Sequence, residues 1–176
     1  KQKEAREHRA LQEACQAAHR HGMLVSCDLN YRSALWNLDT ARRVMGELAP
    51  EVDILIGNEE DPEKLLGVKP QNTDVSRGQL DKAAYEEVAA VLTGRYSFKA
   101  VAFTLRQSLS ASDNIWSGML YQDGQVFRSR EYAIHLVDRV GGGDSFASGL
   151  IYGLMTTGDA ETAVNYGAAH GALAMT

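Results

Sequence analysis

Three consecutive glycines, Gly141, Gly142 and Gly143, run into Asp144 at the start of a segment with helical spacing. Glycine has no Cβ, so the backbone there can lie directly against a ligand. The first amides of a helix have no partner inside it and carry a partial positive charge. Together these features suit a group on which negative charge develops, such as a phosphoryl group in transfer. A carboxylate at the mouth of that hole, Asp144, is placed to take the proton of an attacking hydroxyl. Read alone, the same residues also suit a tight turn followed by an ordinary N-cap. No Gly-Lys-Ser/Thr element follows, and the spacing of a dinucleotide fingerprint is absent.

Three other polar segments follow apolar runs: Asp28-Leu29-Asn30-Tyr31-Arg32, Asn58-Glu59-Glu60-Asp61 and Thr104-Leu105-Arg106. Each alone could be a cap or a turn. Asn58 to Asp61 reads equally well as a helix start whose acids favour the dipole. Their common position after strands is what makes them a candidate site, because ligands of parallel sheets bind beyond the strand C-termini.

The elements that must carry these segments alternate. Leu11, Ala14, Cys15 and Ala18 fall at i, i+3, i+4 and i+7, which predicts an amphipathic helix over 4–21, ended by Gly22. Met23 to Cys27 reads as a short buried strand. Asp39 is positioned to cap a helix whose apolar face is Ala41, Met45 and Leu48. Asp53 to Gly57 is a second strand, and Glu59 to Leu66 a short helix with Pro62 in its first turn. Residues 68–78 are a polar loop. Ala84, Val88, Val91 and Leu92 share a helix face, and Lys99 to Thr104 is a third strand. Ile115 to Tyr121 and Gln125 to Arg130 flank Asp123-Gly124 and predict a β-hairpin. After the glycines, Ala147, Leu150, Ile151 and Leu154 line one helix face, and Asp159 starts a last helix. Strands joined by helical crossovers imply a parallel sheet covered on both faces.

The chain has 176 residues, 44% hydrophobic and 23% charged, a composition that argues against disorder and suits one globular domain. A net charge of -5 without a basic stripe argues against nucleic acid or an anionic membrane as partner. Cys15 and Cys27 form no CxxC pair and have no His at ligand spacing. Both read as small buried hydrophobes of a reducing cytoplasm, not as a disulfide or zinc site. No signal peptide or bilayer-length apolar run is visible. The start lacks Met and the last residues lack a turn signal, so both ends read as cut and the chain as a fragment.

The run Asp138-Arg139-Val140-Gly141-Gly142-Gly143-Asp144-Ser145-Phe146-Ala147-Ser148-Gly149-Leu150-Ile151 resembles the C-terminal signature of the ribokinase-like (PfkB) sugar kinases, usually Asp-Thr-x-Gly-Ala-Gly-Asp-x-Phe. The resemblance implies a three-layer α/β/α sandwich with a mostly parallel central sheet. Residues 1–176 would form the C-terminal part of one kinase domain, without its N-terminal half and lid. It implies transfer of the ATP γ-phosphoryl group to a sugar hydroxyl. Asp144 would be the general base, and the amides of Gly141, Gly142 and Gly143 the anion hole.

Asn58 to Asp61 resembles the family's Asn-x-x-Glu motif, which assigns Asn58 and Asp61 to Mg2+ and phosphates, with Asp61 acting through metal-bound water. Thr104 and Arg106 fall at the strand end that contributes to the ATP phosphate site. Arg106 stands where many members have Gly, and is either a phosphate clamp or an exposed strand-end charge. Gly167 and Ala168 fall on the last helix, beside which the family places adenine. His170 lies off that face and reads as structural.

Asp28 to Trp36 resembles the Asp-x-Asn-x-Arg…Leu-Trp stretch of 2-keto-3-deoxygluconate kinases, as does the run from Thr104 to Ser117. That assigns Asp28, Asn30 and Arg32 to the substrate, with Arg32 on the carboxylate of a sugar acid. Arg32 paired to a nearby carboxylate, with Trp36 in the core, is the other reading. Arg139 stands where the family often has Thr, beside the place where a monovalent cation can bind, so no such cation is carried over. The expected partners are a sugar acid and ATP, with dimerisation through the absent lid; the isolated fragment is expected to be inactive. Alternatives are a fructokinase, a 5-dehydro-2-deoxygluconokinase, or a nucleotide-binding module without catalysis.

Overall fold

Alternation within the apolar runs decides which helices cover which face. The computed structural model describes residues 2–58, 60–70 and 82–176. Its elements are, in order, α1 (Gln2–Arg20), β1 (Ser26–Asp28), α2 (Leu38–Leu48), a 3-10 turn (Ala49–Glu51), β2 (Ile54–Gly57), α3 (Asp61–Leu66) and α4 (Lys82–Tyr96). They continue with β3 (Ala100–Ser108), β4 (Asp113–Gln122), β5 (Gln125–Arg128), β6 (Tyr132–His135), α5 (Gly142–Thr157) and α6 (Ala160–Met175). Glu59 and most of the predicted 68–78 loop lie outside the described residues.

β1, β2 and β3 are parallel neighbours. β4 runs antiparallel to β3 and pairs with both β5 and β6. Leu55, Val101, Phe103 and Leu105 face a core completed by α2, α3 and α4. Ile54, Ile56, Ala100 and Ala102 face the opposite core, completed by α5 and α6. This is the period of two expected of strands buried on both sides. The result is a three-layer α/β/α arrangement. Fully buried Phe103 and Phe146 are worth about 1.5–3 kcal/mol each by the area they remove from water.

Small residues let α5 and α6 approach closely. A Cβ added to Gly153 would stand 2.5 Å from the Cα of Ala163, and one on Gly149 would stand 2.7 Å from the Tyr166 carbonyl oxygen. At the sheet edge away from the glycine turn, the Asp53 carboxylate ties three elements together. It accepts from the Val25 amide at 2.8 Å and meets His19 of α1 and Lys99, each at 3.0 Å. Burial opposes ionisation of Asp53, but the Val25 amide, Lys99 and His19 outweigh it and hold the carboxyl below its ordinary range.

Several expectations are corrected. β1 starts at Ser26, and Met23 and Leu24 are 55% and 58% exposed. Among the described residues β1 is the outermost strand of the sheet, and an apolar run reads the same whether or not another layer covers it. The cap of α2 is Asn37, whose Oδ1 accepts from the Thr40 amide at 2.9 Å; Asp39 lies inside the first turn. β3 does not stop at Thr104 but continues to Ser108 along β4. β6 was not anticipated: four residues after a polar stretch carry too short an alternation to stand out. Cys15 and Cys27 are unpaired and only partly buried. Burial, with the charges of Asp28 and Cys15 adding to it, pushes the Cys27 thiol up to about 11.

Candidate active site

The C-terminal ends of the parallel strands and the start of α5 converge on one cavity of about 490 Å³. Asp28, Asn30 and Arg32 enter from β1 and the turn after it. Gly57, Asn58, Glu60 and Asp61 enter from the β2–α3 junction, Thr104 and Arg106 from β3. Arg139 to Asp144 form one wall, and Trp116 and Met175 also line the cavity. All four segments singled out in the sequence therefore meet. Thr104 and Arg106 reach the cavity although they lie within a strand. The last parallel pair is Gly57 with Phe103, so β3 projects past β2 from Thr104 onward.

The glycine turn has the geometry of an anion hole. Gly141 adopts φ +84°, a left-handed conformation natural only to glycine, and stands at the N-cap of α5. Its carbonyl accepts from the Ser145 amide at 2.8 Å. The amides of Gly142, Gly143 and Asp144 have no acceptor among the described residues. A Cβ on Gly142 would stand 2.6 Å from the Met175 sulfur, so a side chain there would make the flexible end of Met175 shift. A Cβ on Gly143 would meet nothing within 4 Å, so the fold itself leaves that space open.

Asn58 and Asp61 bond reciprocally. Asn58 Oδ1 accepts the amides of Glu60 and Asp61 at 2.8 and 3.1 Å, and Asp61 Oδ2 accepts the Asn58 amide at 3.4 Å. These bonds close the turn that leads into α3, whose N-cap is Glu60, and fix how the helix enters the cavity wall. The helix-start role is therefore real, and Asp61, 3% exposed, still borders the cavity. Burial raises the Asp61 carboxyl against the hydrogen bonds of the Asn58 and Tyr31 amides. Asp28 is pushed up to about 6 by burial first and then by the charges of Asp61 and Asp144. The Asn30 amide and Arg32 only partly offset this. Asn30 has φ +31°, uncommon for any residue but glycine and least costly for Asn or Asp.

Carboxylates that repel one another across a cavity favour a divalent cation. Among the described residues no three His, Cys, Asp or Glu side chains are grouped as a protein-only metal cage. A few acids beside an anion hole fit Mg2+, which keeps several waters and takes the rest of its ligands from phosphates.

Arg32, Arg106 and Arg139 bring three guanidiniums to the cavity, and none makes an ion pair among the described residues. Arg32 is thus available to a ligand. Trp36 is half-buried against the α2–α3–α4 core. Glu60 lay inside a segment singled out from the sequence but had no role of its own there, and Trp116 and Met175 had none; their place in the fold brings them to the cavity. Gly167 and Ala168 do not line the cavity. A Cβ on Gly167 would stand 2.9 Å from the Phe146 carbonyl oxygen, and the Ala168 carbonyl accepts Trp116 Nε1 at 3.1 Å. His170 flanks a separate depression of about 370 Å³ with Ser145, Ser148 and Leu173, which also touches Asp144.

Comparison with known proteins matches residues 3–176 to the pfkB family carbohydrate kinase. A 2-dehydro-3-deoxygluconokinase structure from Thermotoga maritima superposes with a TM-score of 0.85 at 44% identity, covering 94% of this chain and 48% of that one. A 2-dehydro-3-deoxygalactonokinase of Haloferax volcanii is 30% identical over 93% of this chain and 45% of its own length. A 5-dehydro-2-deoxygluconokinase of Bacillus subtilis is 28% identical over 91% of this chain and 43% of its own. The chain thus spans a little under half the length of the relatives it matches. No helix among the described residues is long and apolar enough to cross a membrane.

Proposed function

Because this chain belongs to the PfkB family of carbohydrate kinases, we propose that its cavity transfers the γ-phosphoryl group of ATP to a hydroxyl of a keto-deoxy sugar acid, most specifically 2-keto-3-deoxygluconate, giving the 6-phosphate. The observation that carries this reading is the set of unbonded amides at Gly142, Gly143 and Asp144, opening beside the Asp144 carboxylate into a cavity with unpaired guanidiniums.

The roles follow from chemistry. The Asp144 carboxylate accepts the proton of the attacking hydroxyl as its oxygen approaches phosphorus. The amides at the start of α5 donate to the oxygens of the migrating group, already oriented before reaction. Arg32 pairs with the substrate carboxylate through two parallel hydrogen bonds. Asp28 and Asn30, beside it on the same turn, accept from and donate to sugar hydroxyls. Thr104 and Arg106 hold nucleotide phosphates. Asp61, with Asn58 fixing its position, would hold Mg2+ through water, and the ion would neutralise charge on the phosphates.

The substrate choice is supported by the 44% identity to the Thermotoga protein. A 5-dehydro-2-deoxygluconate substrate is the second reading, favoured by several curated relatives of that name at 26–28% identity. A substrate screen on the intact protein, following ADP release, tests both. The first reading requires the highest kcat/KM on 2-keto-3-deoxygluconate. Arg32→Ala should raise KM for the acid about ten- to a hundredfold, the usual worth of a charged hydrogen-bonded pair, and leave KM for ATP in place. An unchanged KM for the acid refutes the Arg32 assignment.

A further inference from the structure

The reaction as proposed uses Arg32 and Arg106 and leaves Arg139 without a role. Arg139 lies two residues before Gly141 in the connection from β6 to α5. Its Nη2 donates to the Ala111 carbonyl at 2.9 Å, fastening this connection to the β3–β4 turn. That bond uses one of five N–H donors on a planar fork. The acids nearest in sequence and in that turn are already engaged. Asp138 Oδ1 accepts the Val140 amide at 2.9 Å, and Asp113 meets His135 at 2.8 Å while accepting from Ser110 at 2.8 Å. Arg139 is therefore held at the cavity wall beside the free glycine amides, and it makes no ion pair among the described residues.

Its position across the cavity says which ligand it meets. The strand order is β1-β2-β3-β4, with β6 also on β4. Arg32 enters from the β1 side, whereas Arg139 is anchored on the β3–β4 side, beyond Thr104 and Arg106. Two anionic reactants must approach the Asp144 region from opposite sides for an in-line transfer. Asp28, Glu60, Asp61 and Asp144 also line this cavity and repel a polyphosphate. The nucleotide side consequently needs more positive charge than Arg106 supplies.

We propose that Arg139 binds the phosphate chain of the nucleotide and so positions the phosphoryl donor against Gly142 and Gly143. This rests on the kinase reading above. Calorimetric titration of the intact protein and of Arg139→Met with ADP, with adenosine and with the sugar acid tests it. ADP affinity should fall about ten- to a hundredfold, as for loss of a charged hydrogen bond, while adenosine and sugar affinities stay unchanged. Arg139→Lys keeps the charge without the fork and should fall in between, which preserves the test should the Met variant fail to fold. Equal losses for ADP and adenosine would show that Arg139 only fastens two turns, and would overturn the proposal. Unchanged ADP affinity would overturn it too, with the kinase reading intact. A wild-type protein that binds no ADP would overturn the kinase reading and this proposal together.

Discussion

Replacing Gly143 by Ala adds one methyl group at the second position of α5. The added carbon meets no atom of the chain within 4 Å, and the residue is not in the left-handed region. Ala in an unstrained helical position restricts the unfolded chain and stabilises by about 0.4–1 kcal/mol. In a domain of this size that is a rise in Tm of about 1–4 °C. The same methyl group enters open space beside the amides of Gly142, Gly143 and Asp144, to which the proposed reading assigns the oxygens of the transferred group. A displacement of about 1 Å at a reacting centre costs about a hundredfold in rate. Thermal unfolding and kcat on the sugar acid, measured together, should move in opposite directions. Gly141→Ala is the contrast: at φ +84° it loses about 1–2 kcal/mol of stability. A Gly143→Ala enzyme with wild-type kcat would refute the assignment of these amides to the phosphoryl group.

Two further outcomes are expected. Asp53→Ala leaves the Val25 amide and Lys99 without their carboxylate and should destabilise by about 1–3 kcal/mol in urea unfolding. The Asp53 carboxyl is depressed in the fold, so its contribution is present above its unfolded pKa and is lost as pH falls through the folded one. The gap between wild type and variant should close in acid. Asp28, held at about 6, has the opposite sign: the fold takes up a proton before the unfolded chain does, so its effect is to lower stability as pH rises from about 4 to about 6. As an ionised acceptor for sugar hydroxyls it should also make KM for the sugar climb below about pH 6, and Asp28→Asn should abolish that limb.

The parallel core was legible because Ile54 to Gly57 and Ala100 to Phe103 are short unbroken apolar runs bounded by polar residues, the pattern of strands buried on both faces. The hairpin was legible because Asp123 and Gly124 both take positive φ, as that turn demands. The site was legible because polar segments after strands share one edge whatever their separation in sequence. What escaped depends on neighbours rather than on local pattern. Nothing in Met23-Leu24 says that no strand covers them, and nothing in Thr104 says that β4 prolongs β3. Gly167 and Ala168 look alike whether small residues admit a ligand or another helix; here they admit Phe146 and Trp116. Arg139 was visible as a departure from a motif, but its fastening to Ala111 exists only once two distant turns meet.

The most direct measurement is the turnover of Asp144→Asn in the intact protein, with ADP affinity measured beside it. Loss of the general base should lower kcat by about two to four orders of magnitude and leave nucleotide binding near its wild-type value. A variant that phosphorylates the sugar acid at the wild-type rate would contradict the account.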